Sequence, residues 1–340
     1  MKKNSAYLLL ATSGLMVVLG ALKANAAGRA YFANRFDGTV AAVDTSTDIL
    51  LETVDVDAIS VNFVDLSVDT AGRFIYVTNR DIDSLTIIDT VSYEVVAVLP
   101  VCDDPIAVAV HPNGTKAYVS CVSGTVSIVD STTRLVAGSI AVAAPWGLAV
   151  HPDGSRLYVT STTSPGSLKV IDTASNVQTA SIGLGDGPDG VVLSPDGTTV
   201  YVSIRGNDSM SVVDTATNTV VTTVTVGQTP RGVAVHPFEP RVYVASQFGN
   251  LSIIDTTTNA VINTVPVSSF GVGVEPEGLK VYVPSDDGVA VVDVQTNQII
   301  ETLNVGGGSF AFGKFIGPIG PGIFVDSFES GDLSRWLSLP

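Results

Sequence analysis

The chain repeats itself about every forty residues, and this repeat limits its possible folds more than any other feature. The phrase TVYVSIRGNDSMSVVDTATN at 199 to 218 returns at 241 to 259 as RVYVASQFGNLSIIDTTTN. One tyrosine recurs in every unit, as Tyr31, Tyr76, Tyr118, Tyr158, Tyr201, Tyr243 and Tyr282. The aspartate that ends the next apolar run recurs equally often, as Asp44, Asp89, Asp130, Asp172, Asp214, Asp255 and Asp293. The sequence therefore predicts seven structural units.

Each unit contains four short runs in which apolar and polar residues alternate, as is typical of β-strands. We call these strands A to D: B is RVYVAS, C is NLSIID, D is AVINTVPV, and A of the following unit is FGVGVE. Such a unit cannot bury both of its faces alone, whereas seven units arranged around an axis can. We predict an all-β, seven-bladed β-propeller whose blades are four-stranded and antiparallel.

The two ends of the repeat predict how the ring closes. The chain enters on a B strand at Ala30-Tyr31, and its last recognisable strand, residues 309 to 315, is an A strand. We expect this C-terminal strand to be the innermost strand of the blade whose other three strands come from the N terminus.

The recurrent aspartate lies at the turn between strands C and D, in phrases such as Asp172 to Asn176. Seven aspartates could also form a ring of metal-binding or catalytic carboxylates. A turn that needs a hydrogen-bond acceptor once per unit explains them better, with the asparagine taking a left-handed conformation.

Several short motifs resemble a known family. YVTN at 76 to 79, YVTS at 158 to 161 and YVSI at 201 to 204 occur together with repeated IDT and PDG phrases. Between residues 29 and 315 the chain resembles the exported bacterial YVTN-repeat propellers. That resemblance implies a fold and no single activity, because related propellers include lactonases and redox proteins with a quinone or haem.

Residues 1 to 26 are predicted to be a secretory signal peptide. Lys2 and Lys3 precede the apolar run from Tyr7 to Leu22, and Ala24-Asn25-Ala26 is a small-x-small cleavage site. An uncleaved membrane anchor is the alternative, but the run is short for a span. We expect an exported protein in the periplasm, on the cell surface or secreted, without a membrane span after cleavage.

The net charge argues against binding to nucleic acid. Removing three lysines changes the formal charge from −16 to 14 − 33, or −19. Neutralising phosphates requires clustered Lys and Arg, which the chain lacks.

We expect a monomeric propeller over 27 to 315, followed by a Gly/Pro linker and an acidic-aromatic tail over 316 to 340.

All three histidines, His111, His151 and His236, precede a proline in the turn between strands A and B. Other units have Asp69, Ser194 or Glu275 there, so the position is interpreted as a polar residue leading into a turn. Neighbouring blades hold such positions roughly 10 Å apart, too far for direct ligation of one zinc ion. We predict no metal site and no resident cofactor. RDIDS at 80 to 84 is only a weak calcium signal.

The positions at which the units differ are the best candidates for function. The residue that begins each strand A is expected at the mouth of the central channel, opposite the histidine turns. Counting back from the turns gives Val64, Ile106, Trp146, Asp189, Arg231, Phe270 and Phe310. Apolar walls with a few charges are typical of a small binding pocket. Alternatively these side chains fill the channel, and Arg231 pairs with Asp189 across it.

Cys102 and Cys121 are the only cysteines. They flank strands A and B of one unit, at the mouth end of its hairpin. In an oxidising compartment such a pair favours a disulfide over a reactive thiol.

Three functions fit these observations. The leading hypothesis is a non-enzymatic binding module whose ligand or protein partner is unknown. The second is a lactonase-like hydrolase of a small ester or lactone, for which only Asp189 and Arg231 qualify as catalytic groups. The third is a redox propeller, which would need groups to hold its quinone or haem that the sequence does not supply.

Overall fold

The computed structural model describes residues 28–34, 37–56, 63–285, 288–306, 309–310 and 316–318. Within these ranges the chain is all-β, with one short 3-10 helix at Arg205–Asn207. No helix in the described ranges is long and apolar enough to cross a bilayer. The predicted signal peptide and most of the tail lie outside the described residues.

The strands are numbered β1 to β29 in chain order, and the blades 1 to 7. Blade 1 contains β1 (Gly28–Asn34), β2 (Thr39–Asp44) and β3 (Ile49–Asp55), with β28 (Ser309–Phe310) and β29 (Ile316–Pro318) both paired to β1. Blade 2 contains β4 (Phe63–Val68), β5 (Phe74–Asn79), β6 (Ser84–Asp89) and β7 (Val95–Pro100). Blade 3 contains β8 (Pro105–Val110), β9 (Lys116–Cys121), β10 (Thr125–Asp130) and β11 (Leu135–Ala141).

The remaining blades follow the same order from the innermost strand outward. Blade 4 contains β12 (Pro145–Val150), β13 (Arg156–Ser161), β14 (Gly166–Asp172) and β15 (Val177–Gly185). Blade 5 contains β16 (Pro188–Leu193), β17 (Thr199–Ile204), β18 (Ser209–Asp214) and β19 (Thr219–Thr225). Blade 6 contains β20 (Gln228–Val235), β21 (Arg241–Phe248), β22 (Leu251–Asp255) and β23 (Ala260–Val265). Blade 7 contains β24 (Gly273–Val274), β25 (Lys280–Ser285), β26 (Gly288–Asp293) and β27 (Gln298–Leu303).

The blades form a ring. The inner strands β4, β8, β12, β16, β20 and β24 contact one another in that order, and β28 contacts both β4 and β25. Neighbouring strands within every blade are antiparallel. The predicted seven-bladed propeller is confirmed.

The first blade contains strands from both ends of the described chain. Ser309 and Phe310 pair with Asn34 and Ala33, and Ile316 pairs with Ala30. Residues 311 to 315 lie outside the described residues, so one continuous closing strand over 309 to 315 stays a prediction. Residues 316 to 318, assigned to the linker from sequence, pair with β1.

The hydrophobic core lies between neighbouring blades. Every recurrent tyrosine is buried. Tyr158 of blade 4 shares one buried cluster with Val200 and Val202 of blade 5, and Tyr76 of blade 2 shares another with Val119 of blade 3. Since burial of one large apolar side chain is worth about 1.5–3 kcal/mol, this repeated packing between blades favours closure of the ring.

The recurrent aspartates stabilise turns, as predicted. Asp130 Oδ1 accepts the backbone N–H groups of Thr132 (2.9 Å) and Thr133 (2.7 Å). These hydrogen bonds favour the ionised carboxylate and lower the pKa of Asp130. Asn176, Asn218, Asn259 and Asn297 follow the equivalent aspartates with φ between 53° and 58°. The left-handed asparagine is confirmed.

The disulfide predicted between Cys102 and Cys121 is present, with the two Cα atoms 6.1 Å apart. Cys121 ends β9 and is paired with Pro105, the first residue of β8. The bridge therefore ties the segment before β8 to the same blade, at the channel-mouth end.

The histidines connect neighbouring blades, a role that their sequence context does not reveal. Each Nε2 atom lies 2.8–3.0 Å from a glycine carbonyl oxygen of the next blade: His111 with Gly154, His151 with Gly197, and His236 with Gly278. A carbonyl only accepts, so Nε2 carries the hydrogen and donates it. His236 Nδ1 in turn accepts the N–H groups of Phe238 and Glu239.

We expect His236→Ala to destabilise the protein by about 1–3 kcal/mol. The substitution leaves the Gly278 carbonyl without this donor, and Val294, at the position of a repeated threonine, has no hydroxyl to replace it. His111→Ala is the matched control, because the Gly154 carbonyl keeps a hydrogen bond from Thr173 Oγ1. Urea unfolding measures the free energy of unfolding of both variants. If both variants lose the same amount, the hydrogen bond from His236 to the next blade is not the cause of the loss.

Glu275 occupies the histidine position of blade 7 and is 3% exposed. Burial raises its pKa to about 7, while Lys280 opposes the rise and Leu279 N–H donates to Oε1. The folded-state pKa lies above the ordinary value of 4.5. The protonated Glu275 side chain therefore contributes fully to the free energy of folding below pH ~4.5, and this contribution is lost as the pH rises through ~7.

We expect Glu275→Gln to remove that loss, because the amide keeps an acceptor for Leu279 N–H and does not ionise. Relative to the variant, the wild type should lose stability between pH 5 and pH 8. Urea unfolding of both proteins at the two pH values measures the difference. Parallel pH profiles for the two proteins would contradict the raised pKa of Glu275.

Candidate ligand site at the channel mouth

The candidate residues lie where the inner strands begin, at the ring end opposite the histidine turns. Trp146 belongs to β12, Asp189 to β16 and Arg231 to β20, and Phe270 shortly precedes β24. The pairing of strands A and B shifts beside the first three, between Pro145 and Leu148, Pro188 and Val191, and Pro230 and Val233. Such an irregularity re-aims a side chain relative to the regular ladder.

Contacts from the preceding blade fix the backbone of these residues. The Asp189 carbonyl accepts the Thr160 hydroxyl at 2.8 Å, and the Gly147 N–H donates to that same hydroxyl at 2.7 Å. A Cβ atom on Gly147 would collide with the Asp189 carbonyl oxygen. Glycine is therefore required at 147, directly after Trp146, by the close approach of the next blade, and Gly190 has the same relation to the Arg231 carbonyl.

Asp189 is the buried centre of the site, with 1% of its surface exposed. Its Oδ2 atom lies 2.9 Å from Arg231 Nη1 and 2.9 Å from Arg205 Nε. The Trp146 side chain lies close enough to this carboxylate to oppose the rise of its pKa. One carboxylate thus joins side chains from three consecutive blades.

The two arginines rest on aromatic rings. Arg205 Cζ lies 5.5 Å from the centre of the Trp146 ring, and Arg231 Cζ lies 5.5 Å from the centre of the Phe270 ring. Gln247 Oε1 accepts hydrogen bonds from Arg231 Nη2 at 3.0 Å and from Nε at 3.3 Å. A cation–π contact and hydrogen bonds hold the Arg231 guanidinium in place, whereas a cation–π contact and the ion pair with Asp189 hold that of Arg205. We call Trp146, Asp189, Arg205, Arg231, Gln247 and Phe270 the mouth cluster.

The mouth cluster is positively charged. Burial raises the pKa of the Asp189 carboxyl, and the adjacent guanidinium groups of Arg231 and Arg205 oppose that rise. With the carboxylate ionised, one negative and two positive groups give a net charge of +1; protonation would make it +2. The site therefore differs in sign from the protein as a whole, whose formal charge is −16.

The structure brings four of the seven predicted residues together: Trp146, Asp189, Arg231 and Phe270. Ile106 is 2% exposed and belongs to a buried cluster of blades 3 and 4. The side chains of Val64 and Phe310 lie outside the described residues. Arg231 pairs with Asp189, as expected under the alternative in which these side chains fill the channel.

Two members of the mouth cluster, Arg205 and Gln247, were missed from the sequence. Both stand four residues after a recurrent tyrosine, Tyr201 or Tyr243, just where strand B approaches the mouth. The sequence signal at this position is variation among the units, which have Arg35, Arg80, Val122, Thr162, Arg205, Gln247 and Asp286 there.

A separate cavity of about 500 Å³ lies inside the ring toward the histidine turns. Its walls include Val150, Val192, Val235 and Val274, with Ile316 of β29. No mouth-cluster side chain lines it. Within the described part of the chain, no three His, Cys, Asp or Glu side chains come together as a metal site.

We expect Asp189→Asn to destabilise the protein by about 3–5 kcal/mol, because it leaves two neighbouring guanidinium groups partly buried without their counter-ion. Asp104→Asn is the matched control. Asp104 pairs with Arg80 at 3.0 Å, but both side chains are more than a third exposed, so its loss should cost at most about 1 kcal/mol. Chemical denaturation measures both, and similar small effects would contradict the central role of Asp189.

Comparisons with known proteins support the propeller fold. Residues 148–257, less than half of the chain, match the family described as Lactonase, 7-bladed beta-propeller. That segment contains Asp189, Arg205, Arg231 and Gln247, but not Trp146 or Phe270. No curated protein matches the chain.

Similar solved structures share the propeller at low sequence identity. Hydrazine synthase of Kuenenia stuttgartiensis is 19% identical, with 82% of this chain and 99% of that chain covered and a TM-score of 0.69. A functionally unknown protein from Desulfotomaculum acetoxidans DSM 771 is 14% identical, with 84% and 99% covered and a TM-score of 0.73. The dihydro-heme d1 dehydrogenase NirN in complex with DHE is 15% identical, with 90% and 78% covered and a TM-score of 0.65. At these identities the likeness concerns the fold alone.

Proposed function

We propose that this protein is an exported binding propeller that holds a small ligand at the channel mouth. The observation that carries the proposal is the mouth cluster, in which a carboxylate with 1% of its surface exposed orients two arginines against aromatic rings. Apolar walls with a few fixed polar groups are typical of ligand sites. The side chains of the cluster are also preorganised, because they are held in position before a ligand binds. Preorganisation reduces the conformational entropy lost on binding.

Stability alone does not account for such a cluster. Replacing a buried ion network by well-packed apolar side chains is often neutral or stabilising, and the ring already has apolar clusters between its blades. The energetic cost of desolvating Asp189 is therefore better explained by recognition of a ligand at the mouth.

Export is supported by two independent observations. The Cys102–Cys121 disulfide is typical of an oxidising compartment, and the N-terminal sequence has the features of a signal peptide. The acidic net charge favours a small molecule or a protein partner over nucleic acid.

Lactone hydrolysis is a second candidate, because the lactonase-family match includes four members of the mouth cluster. A hydrolase needs a general base within reach of the attacking water. Asp189 is the carboxylate of the cluster, but its Oδ2 atom contacts two guanidinium groups, which weakens it as a base. Binding without turnover therefore fits this geometry better.

A thermal-shift screen of small molecules against the wild type and Arg231→Met tests the binding proposal. A mouth ligand at 100 times its Kd should stabilise the wild type by about 2.7 kcal/mol, and Arg231→Met should abolish that shift. Arg80→Met, which changes an exposed pair in blade 2, is the control and should keep it.

Two outcomes would contradict the proposal. Ligands that stabilise Arg231→Met and the wild type equally would place the site elsewhere. Release of acid from δ-valerolactone, followed in a pH-stat and lost in Asp189→Asn at a temperature at which circular dichroism shows this variant folded, would instead establish a hydrolase.

A further inference from the structure

We infer that the mouth cluster recognises a carboxylate monoanion with an apolar body, and that Arg205 is the residue that binds the carboxylate. This inference rests on the proposed function and adds the chemical class of the ligand. Three features of the cluster support it: the unequal use of its two arginines, its net charge and its aromatic surfaces.

The two arginines differ in how fully they are occupied. Arg231 uses Nη1 on Asp189, and Nη2 and Nε on Gln247, and its side chain is 16% exposed. Arg205 touches Asp189 through Nε alone, and that contact lacks hydrogen-bond geometry. Its two terminal nitrogens have no hydrogen-bond partner among the described residues, and its side chain is 29% exposed. Arg205 is thus held in position while its planar fork is available to a ligand.

The shape of this donor set suits a carboxylate. A guanidinium group presents two parallel N–H donors that match the two oxygens of a carboxylate. Arg205 is also held against Trp146, with Cζ 5.5 Å from the ring centre, so little side-chain freedom is lost when a ligand binds. Trp146 and Phe270 provide partly buried apolar surface for the rest of the molecule.

The charge of the site favours one negative charge over two. A monoanion neutralises the net charge of +1 of the cluster, whereas a dianion would leave an excess negative charge. Asp186 lies next to Arg205 in the fold, because its carbonyl oxygen accepts the N–H of Gly206 at 3.1 Å, and its carboxylate adds repulsion against a second negative charge. Charges further away on this acidic protein act weakly, because salt screens exposed charges beyond about 8–10 Å.

Trp146 allows the inference to be tested at the site itself. The chain has two tryptophans, Trp146 and Trp336, so the Trp336→Phe variant of the full mature chain has one indole reporter, in the mouth cluster. We would titrate this protein with phenylacetate, its neutral isostere phenylacetamide and the dianion phenylphosphonate at pH 8, following Trp146 fluorescence.

Phenylacetate should bind at least about ten-fold more tightly than phenylacetamide or phenylphosphonate, because only it forms the full set of charge-assisted hydrogen bonds without excess charge. Adding Arg205→Gln should remove this preference. Arg205→Lys keeps the positive charge but not the planar pair of donors, so it should retain only part of the preference for phenylacetate. Arg80→Gln, the equivalent position of blade 2, should leave the preference intact, and circular dichroism checks that each variant is folded.

The other outcomes separate this inference from the function on which it rests. Equal or tighter binding of phenylacetamide at Trp146 would overturn the carboxylate assignment and leave the binding function standing. A preference for phenylacetate that survives in Arg205→Gln would overturn the role of Arg205. No response of Trp146 to any of the three compounds, together with no Arg231-dependent thermal shift, would overturn both proposals.

Discussion

A four-stranded blade has two broad faces, and it can bury both only when another blade stands on each side of it. Every other feature of the ring depends on this requirement. Tyr158 of blade 4 is buried with Val200 of blade 5, and the Thr160 hydroxyl bonds to the Asp189 carbonyl across the same boundary. The ion pair between Arg231 and Asp189 is the charged counterpart of these contacts, at the boundary between blades 5 and 6.

The fold could be predicted because its two periods, of two and about forty residues, are both visible in the chain. The partners of the histidines could not. Each histidine bonds to a glycine 42 to 46 residues later, slightly more than one repeat. In a single sequence His151, Ser194 and Glu275 are simply polar residues before a turn. His151 differs from the other two because its side chain has a hydrogen-bond donor that reaches a carbonyl of the next blade.

The site could be predicted in part. Comparison of the repeats along strand A identified Trp146, Asp189, Arg231 and Phe270. At this position the units differ in charge and in aromatic rings, whereas a purely structural position would need neither. It also identified Ile106, whose apolar side chain is buried between blades 3 and 4. Arg205 and Gln247 were missed because Arg205 directly follows strand B of its blade and Gln247 lies near the end of strand B of the next blade. Only the three-dimensional structure brings these positions beside the start of strand A.

The mouth cluster takes its members from blades 4, 5, 6 and 7 in succession, with Asp189 at the point where two of the blade boundaries meet. Repeat proteins diversify by duplicating or deleting whole units, since each unit contacts only its neighbours. A site divided among four units is lost when any of them is deleted, and its angles change when the ring gains an eighth. If the mouth cluster is under selection, the number of blades is under the same constraint, whereas the loops are free to vary.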